Sequence, residues 1–364
     1  MENIMVYGFD DVHVERADFG HQRMDPIAES DEELTQMIQD MASHAGGSAP
    51  FSPANPNLEM MLPDGSRLAA TLSTGRPSLN IRRHRIKEVT VDELIGLGSV
   101  TQVMADFLKA AVRANLSICI SGPMNSGKTT FLRALCTQFT SEDVVGTFES
   151  DREIMLHQEP LRSRFAKVYP WEERSGGGEI GKDGRRAGRR EMSELIIESK
   201  RFNLTRAVIG EVRGKEVWQV IKTMEEIGCL FTTHAISAGA CMEKLISCAQ
   251  EDPNVNGVEL VTRKLGQTLH LVIQLEHERQ WIDKGHDQWR WDRHVKEIVA
   301  AERGERSGSG IALTTVFRHV PSEPAVAFQV PDRLVERLRD AGWTQTQEQQ
   351  FLLQIQANLD RWAQ

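Results

Sequence analysis

Residues 122–129, GPMNSGKT, fit the pattern G-x-x-x-x-G-K-[ST], and an apolar run, Leu116 to Ile120, leads directly into them. A helical pattern follows, with Phe131, Leu132 and Leu135 on one face. Strand, glycine-rich turn and helix start are the setting that a phosphate-binding loop requires. Backbone N–H groups of the turn and the positive end of the helix dipole face an anion there. The expected phosphate cradle is Gly122, Pro123, Asn125, Ser126 and Gly127, continuing into Thr130 at the helix start. Lys128 is expected to neutralise β- and γ-phosphate oxygens, and the Thr129 hydroxyl to ligate Mg²⁺. ATP and Mg²⁺ are therefore the expected ligands.

A chain of 364 residues is long for one core, so two domains are expected. Its net charge of −9 argues against nucleic-acid binding by the whole surface, although a local basic patch stays open. The five cysteines form no CxxC pair and read as buried free thiols rather than zinc ligands. MENIMVYGFDDVHVER lacks a basic start followed by a long apolar run, and no stretch reaches about 18 consecutive apolar residues. The chain is expected to be cytosolic or peripheral.

Residues 1–85 read as a small α/β, sensor-like domain. Its strands are IMVYG, VHVER, Leu58–Leu62, Arg67–Leu72 and Ser78–Arg83. Its helix starts at Asp31 behind a Ser30/Glu33 capping box, with Leu34, Met37, Ile38 and Met41 as the apolar stripe. A linker, 86–98, leads to a P-loop domain over 99–330. There strands alternating with helices predict a mostly parallel, doubly wound α/β sheet. Thr268–Leu275, Gln288–Ala300 and Gly310–Phe317 read as antiparallel strands. Residues 331–364 read as two helices, the second capped by Thr344 and Gln347, and their packing on the P-loop domain is expected. Residues 175–190, rich in glycine and arginine, read as a loop.

Several polar groups end predicted strands, at the edge where ligands bind in open α/β sheets. Glu211 closes RAVIGE, where an acid can orient Mg²⁺ through its water shell. Glu153 follows the strand VVGTF and is placed to polarise an attacking water. Thr232, Thr233 and His234 end LFTTH and are placed to sense a γ-phosphate. Each has a plainer reading, an acid or imidazole where a strand meets water. Their shared edge after a convincing P-loop favours the functional one. In IRRHRIK, Arg82 is either part of a solvated linker or reaches the nucleotide from the N-terminal domain.

These segments resemble the secretion traffic ATPases of the type II/type IV secretion superfamily, nearest its CpaF-like and TrbB-like branch. LPDGSRLAA (62–70) and LNIRR (79–83) are similar to the end of that family's N-terminal domain. TFESDREI (147–154) resembles its Asp box, VIGEVRGKE (208–216) its Walker B element and GCLFTTHA (228–235) its His box. The resemblance implies a RecA-like fold, ATP hydrolysis and homohexameric rings working on an inner-membrane platform protein at the cytoplasmic face. It makes Glu153 the water-orienting base, puts Glu211 beside Mg²⁺, and has His234 couple the γ-phosphate to the sheet. It also implies arginines that complete a site across subunits, with Arg82, Arg174, Arg201 and Arg206 as candidates. Ser150 departs from the box's usual aspartate, and Asn203 from an arginine before the Walker B strand. Two rival classes remain at this point. One is a RecA-type nucleic-acid motor using the 182–190 arginines; the other is a nucleotide-binding scaffold that hydrolyses poorly.

Overall fold

The computed structural model describes residues 3–16, 20–44, 51–62, 66–83, 89–174, 184, 187–283, 288–304, 310–320 and 323–362. The chain divides into two compact units. The first comprises Met1–Lys87 with segments Arg174–Arg189 and Arg279–Trp291; the second holds the remainder. Lys182 and the arginines at 185 and 186 lie outside the described residues.

In the first unit, β1 (Asn3–Tyr7), β2 (Val12–Arg16), β3 (Gly20–Met24), α1 (Asp31–His44), β4 (Asn57–Met61), β5 (Arg67–Thr71) and β6 (Ser78–Arg82) follow in chain order. The strands form one antiparallel sheet in the order β3-β2-β1-β6-β5-β4. Helix α1 buries Leu34 and Ile38 among Val6, Val12, Phe51, Leu68 and Leu79. Its stripe differs from the expected one, because Ala42 is buried while Met37 is 39% exposed. Strand β3, GHQRM, has no apolar alternation by which it could be read from sequence.

The second unit begins with α2 (Val91–Gly96), inside the segment expected to be linker. Thr90 and Glu93 form its capping box, a local signal sufficient to start a short helix. Then come α3 (Gln102–Arg113), β7 (Ile118–Ser121), α4 (Lys128–Cys136), β8 (Val144–Glu149), β9 (Lys167–Glu172) and α5 (Met192–Ser199). They are followed by β10 (Arg206–Ile209), α6 (Val217–Met224), β11 (Gly228–Thr233), α7 (Ala238–Ala249) and α8 (Val258–Thr268). The chain closes with β12 (Leu271–Asp283), β13 (Gln288–Arg303), β14 (Ile311–Val320), β15 (Glu323–Ala327), α9 (Asp332–Asp340) and α10 (Gln345–Trp362).

The nine-stranded sheet has the order β15-β14-β13-β12-β7-β11-β10-β8-β9. Strand β12, expected to be antiparallel, instead runs parallel to β7, with Leu271 opposite Ile118 and Gln274 opposite Ser121. Helix α8 supplies the crossover that a parallel neighbour needs. The sheet turns antiparallel only beyond it, at β13–β14 and β14–β15.

Alternation along each inner strand splits the core into two layers. Ile118, Ile120, Val208 and Leu230 face the layer of α2, α3, α4, α9 and α10. Cys119, Ala207, Ile209, Cys229 and Phe231 face that of α5, α6, α7 and α8. All five cysteines are free and buried. In the tail, Trp343 and Phe351 pack edge-on to each other and both against Phe107 of α3, so the start of this segment is core. The Thr344–Gln347 cap forms, with the Gln347 N–H donating to Thr344 Oγ1 at 3.3 Å.

Candidate nucleotide site at the carboxyl edge of the sheet

The turn after β7 is shaped by two glycines for different reasons. A Cβ at Gly122 would stand 2.6 Å from Ser126 Oγ and 2.9 Å from the Leu275 carbonyl, so no side chain fits. Gly127 has φ +87° and is the N-cap of α4, a left-handed conformation that other residues resist. As glycine it offers no side-chain cap, leaving the first-turn N–H groups of α4 without a side-chain oxygen. Asn125 is also left-handed, at φ +62°. Arg293 of β13 donates from Nε to the Asn125 carbonyl at 2.9 Å, fastening the outside of the turn.

Lys128 curls back into this turn. Its ammonium donates to the carbonyls of Pro123 (2.8 Å) and Gly122 (3.2 Å) and to His234 Nδ1 (3.0 Å). With Nδ1 accepting, His234 carries its proton on Nε2, which lies 3.3 Å from Glu211 Oε1. The other oxygen of Glu211 accepts from Arg213 Nη2 at 2.8 Å. A continuous polar chain thus runs from Lys128 through His234 to Glu211 and Arg213. Burial pushes the Glu211 carboxyl up, but Arg213, with Lys128 further off, holds it below the usual carboxylate range. Burial, followed by the charge of Lys128, depresses His234 below the ordinary imidazole value, which keeps it neutral in this chain.

The backbone behind these groups is fixed by the neighbouring strand. Thr232 Oγ1 donates to the Gly210 carbonyl at 2.6 Å and Thr233 Oγ1 to that of Val212 at 3.0 Å. These hydroxyls, expected to sense phosphate, are therefore committed to holding the Glu211 segment. Lys244 donates to the His234 carbonyl and Gln274 to that of Ala235, at 3.0 and 3.1 Å. Glu153 lies just past β8 at the same sheet edge, in a turn closed by its N–H on the Asp151 carbonyl at 2.8 Å. Ser150 donates to Glu173, and Glu173 in turn accepts from the Met192 N–H at 2.7 Å. The end of β9 thus supplies a carboxylate at the position where the Asp box departs.

The candidate arginines are dispersed. Arg206 opens β10, at the opposite edge of the sheet from Lys128. Its guanidinium donates to Asp143 Oδ1 (3.0 Å), the Val112 carbonyl (2.8 Å) and Asn115 Oδ1 (2.5 Å) and covers Phe139. At 6% exposure it is a buried strut, which removes the basis for reading it as a phosphate-reaching finger. Arg201 is exposed in the turn after α5, on that same far edge. Arg174 is exposed, as is Arg82 at the end of β6, and both belong to the first unit.

The groups in place suit a triphosphate. An uncapped helix start, a lysine folded among loop carbonyls and a neutral imidazole next to it all face one edge. Among the described residues, no group of three or more His, Cys, Asp or Glu side chains is placed to hold a metal alone. Mg²⁺ bound through Thr129 and phosphate oxygens needs no such group. Sequence reasoning missed Arg213, Arg293, Lys244 and Gln274. Arg213 sits two residues after Glu211 and could have been found as an i, i+2 partner; Arg293 arrives from a strand 168 residues beyond Asn125 and left no local signal.

The fold and this edge define a P-loop α/β protein. A profile for the type II/IV secretion system protein family matches residues 1–278, and the chain belongs to that family. It is 26% identical over 294 residues to an uncharacterised protein of Methanocaldococcus jannaschii, covering 76% of this chain and 49% of that one. It is 26% identical over 230 residues to the type IV secretion system protein PtlH of Bordetella pertussis, covering 56% and 64%. The chain thus spans about half to just under two-thirds of those relatives' own lengths. The crystal structure of the Legionella pneumophila ATPase DotB superposes with a TM-score of 0.56 at 14% identity, over 82% of this chain and 76% of that one. That likeness is one of fold.

Proposed function

We propose that the chain hydrolyses ATP as one subunit of a homohexameric ring that drives protein secretion, pilus assembly or conjugative transfer. It would work from the cytoplasmic face of the inner membrane, on a platform protein embedded there. Family membership supports the class. The chemistry rests chiefly on one observation, the chain of contacts from Lys128 through His234 to Glu211. No helix among the described residues is long and apolar enough to cross a membrane.

In this reading the turn N–H groups and Lys128 hold the β- and γ-phosphates, as electrostatic preorganisation requires. Thr129 and Glu211 would hold Mg²⁺, and the ion would offset phosphate charge. Glu153 orients the attacking water. His234, hydrogen-bonded to both Lys128 and Glu211, changes partner when a γ-phosphate takes the lysine. Arg82, Arg174 and Arg201 are exposed in one chain and are candidates to act on a neighbouring subunit's nucleotide.

The test is steady-state phosphate release by the full chain and by Glu211→Gln, each followed by mass photometry with and without ATP. A fall in kcat of about 10²-fold or more, with ATP still bound, is expected for the variant. Equal rates would remove Glu211 from the chemistry, and a fully active monomer would remove the intersubunit arginines.

A further inference from the structure

Glu149 is the last residue of β8 and is 2% exposed, an unusual place for a carboxyl. Its Oε1 accepts from the N–H groups of Glu153 and Ile154, both at 2.8 Å. Its Oε2 is buried and has no hydrogen-bond partner. Its Cγ packs so close to Gly210 that a Cβ there would stand 3.1 Å away. One side chain therefore touches both acidic segments of the site, the turn carrying Glu153 and the residue preceding Glu211.

We infer that Glu149 is a positioning residue: its Oε1 fixes the backbone that aims Glu153, and Gly210 exists to make room for it. This rests on the hydrolytic role proposed for Glu153. The Glu149 carboxyl lies near enough to Arg133 for that guanidinium to feel its charge. Burial pushes it up to about 8, against the two N–H donors. What the turn takes from the group is the hydrogen-bond acceptor at Oε1. Glutamine reproduces the acceptor; leucine fills the volume and leaves the Ile154 N–H, which is buried, unpaired.

The test compares Glu149→Gln, Glu149→Leu and Glu153→Gln in the full chain by ATP turnover, ATP affinity and amide hydrogen exchange over residues 150–156. Glu149→Gln is expected within about threefold of the parent, and Glu149→Leu to lose kcat by about 10–100-fold with ATP affinity nearly unchanged. Glu149→Leu should also speed exchange of the Ile154 amide, which Glu149→Gln leaves protected. If Glu149→Leu does not fold, Gly210→Ala displaces the same carboxyl and should give the same split. Parental kcat in Glu149→Leu, or unchanged exchange at Ile154, would overturn the inference. An inactive parent chain would instead sink the hydrolysis reading, while the exchange result still decides whether Glu149 holds the turn.

Discussion

The two edges of the nine-stranded sheet treat buried charge in opposite ways. At the edge where β7, β8, β10 and β11 begin, Arg206 spends its donors on Asp143, Val112 and Asn115. Asp143 likewise accepts from the Thr140 N–H and the Thr205 hydroxyl. At the edge where these strands end, Lys128 rests on two carbonyls and a neutral imidazole, and Glu149 keeps one oxygen unpartnered. In the first arrangement the Nε and Nη1 donors are all committed within the protein. The second holds a lysine that a better anion can recruit, since loop carbonyls are weak partners for an ammonium compared with phosphate.

The comparison can be broken most severely at Lys128. Lys128→Ala is expected to cut ATP turnover by about 10³-fold or more while the thermal midpoint stays close to the parent's. A large loss of stability instead would make Lys128 a structural residue like Arg206. Arg206→Ala should do the reverse, costing about 3–5 kcal/mol in denaturant unfolding, because Asp143 is left buried and uncompensated. Turnover per folded molecule should stay near the parental value; a selective loss of kcat would return Arg206 to the catalytic set.

A smaller effect belongs to His270, on the closed edge. Its Nδ1 accepts from the Ser117 N–H at 3.0 Å, and burial, with Arg337 and Arg333 nearby, pushes it down to about 3. The folded chain therefore resists a proton that the unfolded chain takes up near the ordinary imidazole value of about 6.5. Stability from this residue is complete above that pH and falls by about 1 kcal/mol per pH unit below it. Thermal midpoints between pH 7 and 5 should drop less steeply in His270→Gln. Parallel slopes would mean that the acid sensitivity lies elsewhere.

What was legible in the sequence tracks how local its cause is. The strand, turn and helix of residues 116–136 are written in contiguous residues, and the structure has them as β7, the turn and α4. The closing cap at Thr344 is equally local. The pairing of β12 beside β7 is set by how the sheet closes over α8, and nothing within Leu271–Leu275 encodes its neighbour. Arg206 illustrates the same limit: its partners Asp143 and Asn115 lie 63 and 91 residues away. The resemblance made Arg206 a candidate because burial is invisible in a string of letters. Glu149 shows the converse: nothing in its letters marks its enclosure by Gly210, Glu153 and Ile154.

The strut at Arg206 has a mechanical consequence. One guanidinium ties the last turn of α3, the bend before β7 and the turn before β8 to the start of β10. Gly228 at the start of β11 sits against Asn115 so closely that a Cβ would fall 2.1 Å from its side-chain oxygen. The strands are ribs of a fan pinned at the handle. In the proposed function, strain from a change of phosphate occupancy at the open rim would be resisted at their base. It would leave through the loops of the rim, with the pinned end as fulcrum.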